Sequence, residues 1–312
     1  MAEQSNPQSS ILNPQSAPIN RRAGHRPPWL KIKVPSNLDT LPVARLMNDL
    51  ALNTVCQEAR CPNIFECWSA GTATFMVLGE ICTRRCTFCA VGKGKPLLAD
   101  AGEPARVAEA VERMGVKHCV ITMVNRDDLA DSGAEHVAQT VRAVRERTGA
   151  AVEVLISDLE GNREALRVVA ASRPEVLAHN VETVPRLYPA VRPVAKYRRS
   201  LDVLRWAHED GMLTKSSIML GLGERDEEIL ETAHDLRENG VEIFTMGQYL
   251  APTGNHHPVR RYYTPEEFTE LGDRARALGF HHVESAPLVR SSYMAHRAVQ
   301  SAPRHAAREL RR

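Results

Sequence analysis

No stretch of this 312-residue sequence stays apolar for long enough to cross a bilayer, which sets aside a membrane-spanning reading. Charge of one sign is lacking too: 40 Lys and Arg stand against 38 Asp and Glu, a net charge of +2. That balance argues against a nucleic-acid binder working through a strongly basic face. The opening M-A-E-Q-S-N-P-Q-S-S has neither the charged-then-apolar order of a secretory signal nor the early Arg-rich pattern of a transit peptide. The expectation is a cytoplasmic, reducing location, where the seven cysteines serve as metal ligands or buried thiols rather than disulfides. Residues 1–28, rich in Ser, Asn, Gln and Pro, are expected to form a disordered tail, and no short repeat follows them.

What is present is a regular alternation. Six short apolar runs, at 74–79, 118–124, 152–157, 175–180, 216–221 and 243–249, read as strands buried on both faces. Between them run amphipathic faces: Val107, Val111 and Met114; Val137, Val141 and Val144; Leu201, Leu204 and Ala207; Ile229, Ala233 and Leu236. T-P-E-E at 264–267 is a capping box that opens a helix carrying Phe268, Leu271, Ala275 and Leu278. Gly115, Gly149, Gly211, Gly240 and Gly279 stand where helices should stop. Strands alternating with helices predict a parallel α/β fold, either an open doubly wound sheet or a partial barrel. The polar residues gather at C-terminal strand ends, where barrel enzymes place their chemistry.

Three thiols, Cys82, Cys86 and Cys89, lie within the eight residues C-T-R-R-C-T-F-C. A cubane 4Fe-4S cluster held by three thiolates leaves one iron free for an exogenous chelate, such as the amino and carboxylate groups of S-adenosylmethionine. The alternative is a zinc site completed by a remote residue, although zinc knuckles favour two-plus-two spacing. A second triad precedes the first: Cys56, Cys61 and Cys67, spaced C-x4-C-x5-C, again one ligand short of a closed site.

The spacing C-x3-C-x2-C with Phe88 before its last cysteine resembles the radical S-adenosylmethionine superfamily. Both triads together, with R-S-S-Y at 290–293, resemble the lipoyl synthase family. The likeness spans residues of about 30 to 300 and includes H-N-V-E-T-V, V-R-P, L-G-L-G-E and G-Q-Y-L. Ser217 stands where the family usually has Gly, and Met294 where it usually has His.

The resemblance implies a partial TIM barrel of six β/α units, (β/α)6. Residues 29–71 would be an N-terminal extension around an auxiliary cluster, 72–280 the barrel, and 281–312 a C-terminal extension over its mouth. It implies two 4Fe-4S clusters. One would be held by Cys82, Cys86 and Cys89 with S-adenosylmethionine, the other by Cys56, Cys61, Cys67 and Ser292. Without the family, Ser292 reads as a helix cap or a solvated hydroxyl. The implied reaction inserts two sulfurs at carbons 6 and 8 of an octanoyl-lysyl carrier, with the auxiliary cluster as sulfur donor. Those C–H bonds are too inert for any protein base, so a radical derived from S-adenosylmethionine must break them. The implied partners are octanoylated carrier domains (E2 subunits of 2-oxoacid dehydrogenases, the glycine cleavage H protein) and an electron donor such as flavodoxin or ferredoxin. A monomer is expected, with no nucleic acid and no membrane.

Asn180 and Glu182 could hydrogen-bond the ribose or methionine of S-adenosylmethionine, or merely cap a strand end. Arg192 could pair with a carboxylate or form a surface ion pair, and Gln248 and Tyr249 could line the pocket. Asp127 and Asp128 are expected to cap the following helix, Cys119 to be an inert core thiol, G-L-G at 221–223 to be a turn, and His256-His257 to be loop surface. The basic end R-H-A-A-R-E-L-R-R is expected to fray. Two other functions fit parts of the sequence: a tRNA-modifying radical methylthiotransferase, which would want a more basic chain, and a non-catalytic redox sensor, which leaves the polar strand ends without a purpose.

Overall fold

The structure, a computed structural model, describes residues 26–32, 40–69, 72–292 and 295. Residues 1–25 of the expected tail, the basic end and Met294 lie outside the described residues.

The first elements carry the first cysteine triad. Helix α1 (Leu41–Asp49) leads into a two-residue strand β1 (Asn53–Thr54) and two short helices, α2 (Val55–Glu58) and α3 (Ile64–Ser69). Thr54 starts α2 by accepting the Gln57 N–H on its hydroxyl at 3.3 Å. Cys56 lies in α2, Cys67 in α3 and Cys61 between them.

Strand β2 (Thr74–Val77) follows, then a small pair, β3 (Ile81–Cys82) and β4 (Gly92–Lys93), that frames the second triad. Helix and strand then alternate: α4 (Glu103–Met114), β5 (His118–Met123), α5 (Ala134–Thr148), β6 (Ala151–Leu155), α6 (Arg163–Ala171) and β7 (Val176–Ala178). The second half holds α7 (Tyr188–Val191), α8 (Tyr197–Glu209), β8 (Thr214–Leu220), α9 (Asp226–Glu238), β9 (Ile243–Gln248), α10 (Pro265–Arg276) and β10 (His282–Ser285).

The main sheet runs β1-β2-β5-β6-β7-β8-β9-β10, parallel throughout except for the antiparallel edge strand β1. Its parallel strands pair in chain order with no reversal. A doubly wound sheet needs such a reversal, so this order is that of a barrel. β10 does not pair with β1 or β2, so the barrel is partial, as expected. It holds a seventh parallel strand beyond the six read from the sequence.

The helical faces named from periodicity are the buried ones, among them Val107 and Val111 in α4 and Val137, Val141 and Val144 in α5. Gly115 and Gly149 end these two helices with φ of 64°, the left-handed conformation that costs glycine nothing. The T-P-E-E box forms as read: Thr264 accepts from the Glu267 N–H at 3.2 Å, and Glu267 accepts from the Thr264 N–H at 2.7 Å. Cys119 is buried in the core.

After β10 the chain turns back as a strap over the C-terminal end of β9. The Gln248 N–H donates to the Pro287 carbonyl at 3.1 Å. Asn63, from the first triad's segment, donates through its amide to the Leu288 carbonyl at 2.8 Å. The strap passes so close to Gly247 that a Cβ there would sit 2.0 Å from the Val289 carbonyl oxygen. Gly247→Ala should therefore push the strap off β9. The expected loss is about 1–3 kcal/mol, read as a lower denaturation midpoint with faster proteolysis after residue 286. An unchanged midpoint and digestion pattern would contradict the close approach.

Candidate functional site

At the C-terminal strand ends lies a cavity of about 450 Å³. Cys56 and Cys61 reach it from the N-terminal segment, Cys82, Cys86 and Cys89 from the loop after β2, and Ser292 from the strap. Cys67 sits beside the first two: burial and then the neighbouring Cys56 and Cys61 push its thiol up to about 12. Thus five of the six triad cysteines and the strap serine, separated by over two hundred residues, line one hollow, with Cys67 beside Cys56 and Cys61.

The second triad's loop is clamped from both sides. Arg84, between Cys82 and Cys86, is buried and donates to Asp127 at 2.8 and 2.9 Å and to Asp158 at 2.6 Å. Asp127 follows β5 and Asp158 follows β6, so the loop is tied to two adjacent strand ends. The Thr83 hydroxyl donates to the Asn125 carbonyl at 3.0 Å. On the far side, the Thr87 N–H donates to the Val191 carbonyl and the His257 N–H to the Thr87 carbonyl. The His256 ring Nε2 donates to the Cys89 carbonyl at 3.1 Å, and the Tyr249 hydroxyl donates to the His257 carbonyl at 2.8 Å.

Several sequence readings change here. Asp127 and Asp128 do not cap α5; that carboxylate is Asp131, which accepts from the Gly133 and Glu135 N–H groups at 2.9 Å each. Asp127 instead holds Arg84, and Asp128 holds Arg126 at 2.8 Å. His256-His257 is not loop surface but half-buried, gripping the cysteine loop. Arg192 forms no surface ion pair: it is buried, donating to the Asn180 carbonyl at 2.8 Å and the Val181 carbonyl at 3.0 Å. G-L-G is a turn, its Gly221 and Leu222 N–H groups taken up by the Glu224 carboxylate.

Asn180, Glu182, Arg192, Gln248 and Tyr249 all line the cavity. Gln248, however, spends its amide on the Leu220 and Arg261 carbonyls and the Tyr263 N–H, so it shapes the wall rather than offering a free group. Asn180 donates to Glu182 at 3.1 Å, and Glu182 holds a left-handed φ of 66°, strain of the kind kept at functional positions. His179 is neutral. Burial first, then the Arg192 charge, lowers it to about 4, and its Nδ1–H donates to the Ile156 carbonyl at 3.0 Å.

The donor set fits an iron–sulfur cluster and a polar cofactor. Burial raises the Cys56, Cys61 and Cys86 thiols and takes Cys89 to about 12, so bare thiols here stay protonated and metal loading must release protons. Against that burial, Arg192 draws Cys86 back down, and the Asn63 backbone N–H, then Arg290, do the same for Cys61. The Arg84 backbone N–H donates to Cys82 Sγ at 3.4 Å. Three buried atoms on cavity-lining residues, Arg84 Nη1, Asn180 Oδ1 and Arg192 Nε, have no partner among the described residues. Orphaned buried polar groups are costly, and a polar guest would satisfy them.

The radical SAM superfamily model matches residues 76–236. The lipoyl synthase of Rubrobacter xylanophilus is 57% identical, over 90% of this chain and 88% of that protein. The lipoyl synthase of Koribacter versatilis is 51% identical, over 90% and 93%. This chain belongs to the lipoyl synthase family. Lipoyl synthases are radical enzymes that insert sulfur, so the tRNA-modifying and sensor readings fall away, and superfamily membership brings a 4Fe-4S cluster and S-adenosylmethionine. Among solved structures, Streptococcus suis SuiB bound to the precursor peptide SuiA superposes with a TM-score of 0.53 at 13% identity, covering 67% of this chain and 47% of that one. That likeness bears on the fold alone.

The sequence reading of this lipoyl synthase family member gave no role to Arg84, Asp158, Asn63 or Arg290, although Arg84 lies inside the cysteine motif, Asp158 at a strand end and Arg290 in R-S-S-Y.

The Arg84 pair carries a pH signature. Burial alone would raise Asp158, but the Arg84 hydrogen bond and charge outweigh it and hold the carboxyl at about 2. An unfolded aspartate sits near 4, so the pair stabilises the fold above about pH 4, and that share, about 2–3 kcal/mol, is lost as pH falls from 4 toward 2. In Arg84→Gln, Asp127 loses its cation and Asp158 keeps only Arg199, at 3.4 Å. We expect about 3–5 kcal/mol of lost stability at pH 7, a flatter dependence between pH 4 and 2, and less iron retained per chain. Chemical denaturation across pH, with iron counted after reconstitution, checks each part.

Proposed function

We propose that this chain builds lipoyl groups with two 4Fe-4S clusters in the one cavity. Cys82, Cys86 and Cys89 would hold the first together with S-adenosylmethionine. Cys56, Cys61, Cys67 and Ser292 would hold the second, which serves as the sulfur source for carbons 6 and 8 of an octanoyl-lysyl carrier. The supporting observation is that Cys56 and Cys61 of one triad, all of the other and Ser292 line one hollow at the strand ends, with Cys67 beside the first two. When bound, the clusters and S-adenosylmethionine supply the radical and the sulfur that no side chain can provide.

The protein's part is placement and shelter. Met76, Leu155, Ile156 and Met219 give the cavity an apolar wall suited to an octanoyl chain. Asn180, Glu182 and Arg192 offer an amide oxygen, a carboxylate and a guanidinium to the polar cofactor. The strap, held by Asn63 and seated on Gly247, brings Ser292 to the cavity that Cys56 and Cys61 also line, where it would complete the second cluster and help screen it from water. A serine oxygen is a weaker iron ligand than a thiolate, which suits a site that must open to release sulfur. Among the described residues no helix is long and apolar enough to cross a membrane. The cytoplasm, where thiols stay reduced and a flavodoxin or ferredoxin can supply electrons, is the location this reading requires.

The test is an anoxic single turnover of the reconstituted protein with reductant, S-adenosylmethionine and an octanoylated carrier, the carrier being followed by mass. Gain of two sulfurs is expected. Alanine at Cys82, Cys86 or Cys89 should abolish 5′-deoxyadenosine formation. Alanine at Cys56, Cys61 or Cys67 should spare some of it while ending sulfur gain. Indistinguishable behaviour of the two sets would sink the division of labour.

A further inference from the structure

The segment leaving the second cysteine triad carries the most exposed large apolar side chains among the described residues. Leu97 and Leu98 are 86% and 94% exposed, against 50% for Val194, the next highest. Scattered apolar side chains on a surface are ordinary; two in succession standing almost wholly in water are a feature to be explained. They end the stretch K-G-K-P-L-L, residues 93–98, whose first residue both pairs in β4 and lines the cavity. The Gly94 N–H donates to the Cys82 carbonyl at 3.1 Å, which fixes the start of the segment at the cavity lip. Leu97 follows Lys93 by four residues, so its Cα lies within about 14 Å of that lip.

The lip is cationic. Arg26, Arg60 and Lys93 line the cavity and are exposed, and Lys95 is exposed beside them. The one carboxylate among the described lining residues is the half-buried Glu182. Beyond the leucines, the first carboxylate is Asp100, and it is taken up by Arg106 at 2.7 Å.

A cavity of about 450 Å³ admits an acyl-lysyl arm and no folded domain. A protein substrate must therefore remain outside and be recognised at the rim. We propose that residues 93–98 form the ledge on which an acidic carrier domain docks while its octanoyl-lysyl arm enters the cavity. This rests on the proposed function and adds to it the surface that selects the carrier. The lysines and arginines steer a negatively charged partner; the leucines add an apolar contact that salt does not screen. An electron-donor protein is the competing occupant. The carrier is favoured because the ledge borders the opening its arm must use.

The experiment takes the full-length reconstituted chain and the triple variant Lys95→Glu/Leu97→Ser/Leu98→Ser, none of whose positions lines the cavity. Single-turnover rates with dithionite are measured against the concentration of two substrates: octanoylated glycine cleavage H protein, and a short octanoyl-lysine peptide. The half-saturating concentration for the H protein should rise roughly tenfold, the scale of a few lost interface contacts. Its maximal rate and both peptide parameters should stay as in the parent. Lys95→Glu alone should show part of the effect, and high salt should remove that part. Equal defects with both substrates, or an unchanged half-saturation for the H protein, would overturn the docking ledge. So would a defect that appears only when flavodoxin replaces dithionite, which would hand the surface to the electron donor. If the parent chain adds no sulfur even to the peptide, the functional reading underneath fails first, and that result is separate from any effect of the variant.

Discussion

A single buried guanidinium fixes where the chemistry can happen. Arg84 is surrounded by Asp127 and Asp158, and Arg199 adds a second cation to Asp158 at 3.4 Å. Buried ion pairs are poor devices for stability, because desolvation consumes much of what attraction returns. What this one provides is position. Its two carboxylates ride on the ends of β5 and β6, which are locked in parallel register from His118–Ala151 to Thr122–Leu155. The loop between Cys82 and Cys86 thus takes its place from the sheet. The Thr87, His256 and His257 contacts then set the far end of the triad, and Arg84 Nη1 keeps no partner among the described residues.

The first triad depends on a different constraint, a crossing of backbones. The strap lies close over β9 because Gly247 lacks a Cβ, and Asn63, two residues after Cys61, holds its Leu288 carbonyl. Arg290 travels with it. Burial lowers the affinity of Arg290 for its proton, the Cys61 thiol works the other way, and Arg26 adds to the lowering. Arg290 is half-buried and Arg26 exposed, and two cations brought near each other are unfavourable unless negative charge accumulates there. Deprotonated cysteines around iron would supply it.

The sheet was legible because doubly buried strands read as apolar runs, and the helices because their faces keep the 3.6 period. β10 was not, since H-V-E-S at 282–285 buries only Val283 at its edge position. The cysteines announced themselves by spacing. Arg84 did not, since nothing in R-R separates it from its exposed neighbour Arg85. Asp127 and Asp131 are both good cap residues, and only the three-dimensional path decides that Asp131 caps while Asp127 binds Arg84. Ser292 carried no signal of its own; it came from family resemblance alone, and the strap explains how a residue so remote in sequence reaches the cavity.

The barrel interior below the cavity explains why the site is one-ended. Side chains alternate along a strand, so Lys215 shares the inward face of β8 with the cavity residues Ser217 and Met219, and Glu153 that of β6 with Leu155. There the Lys215 ammonium donates to the Glu153 carboxylate at 2.8 Å, with the His118 ring 3.7 Å away. Burial pushes Glu153 up, but Lys215 and His118 together more than offset it, so the carboxyl stays ionised and the pair stays closed. An apolar floor could yield to a long acyl chain; an ion pair of this kind would have to be broken first, leaving a charge unpaired. Under the proposed function, an acyl arm entering the cavity would be stopped above this pair rather than pass into the barrel.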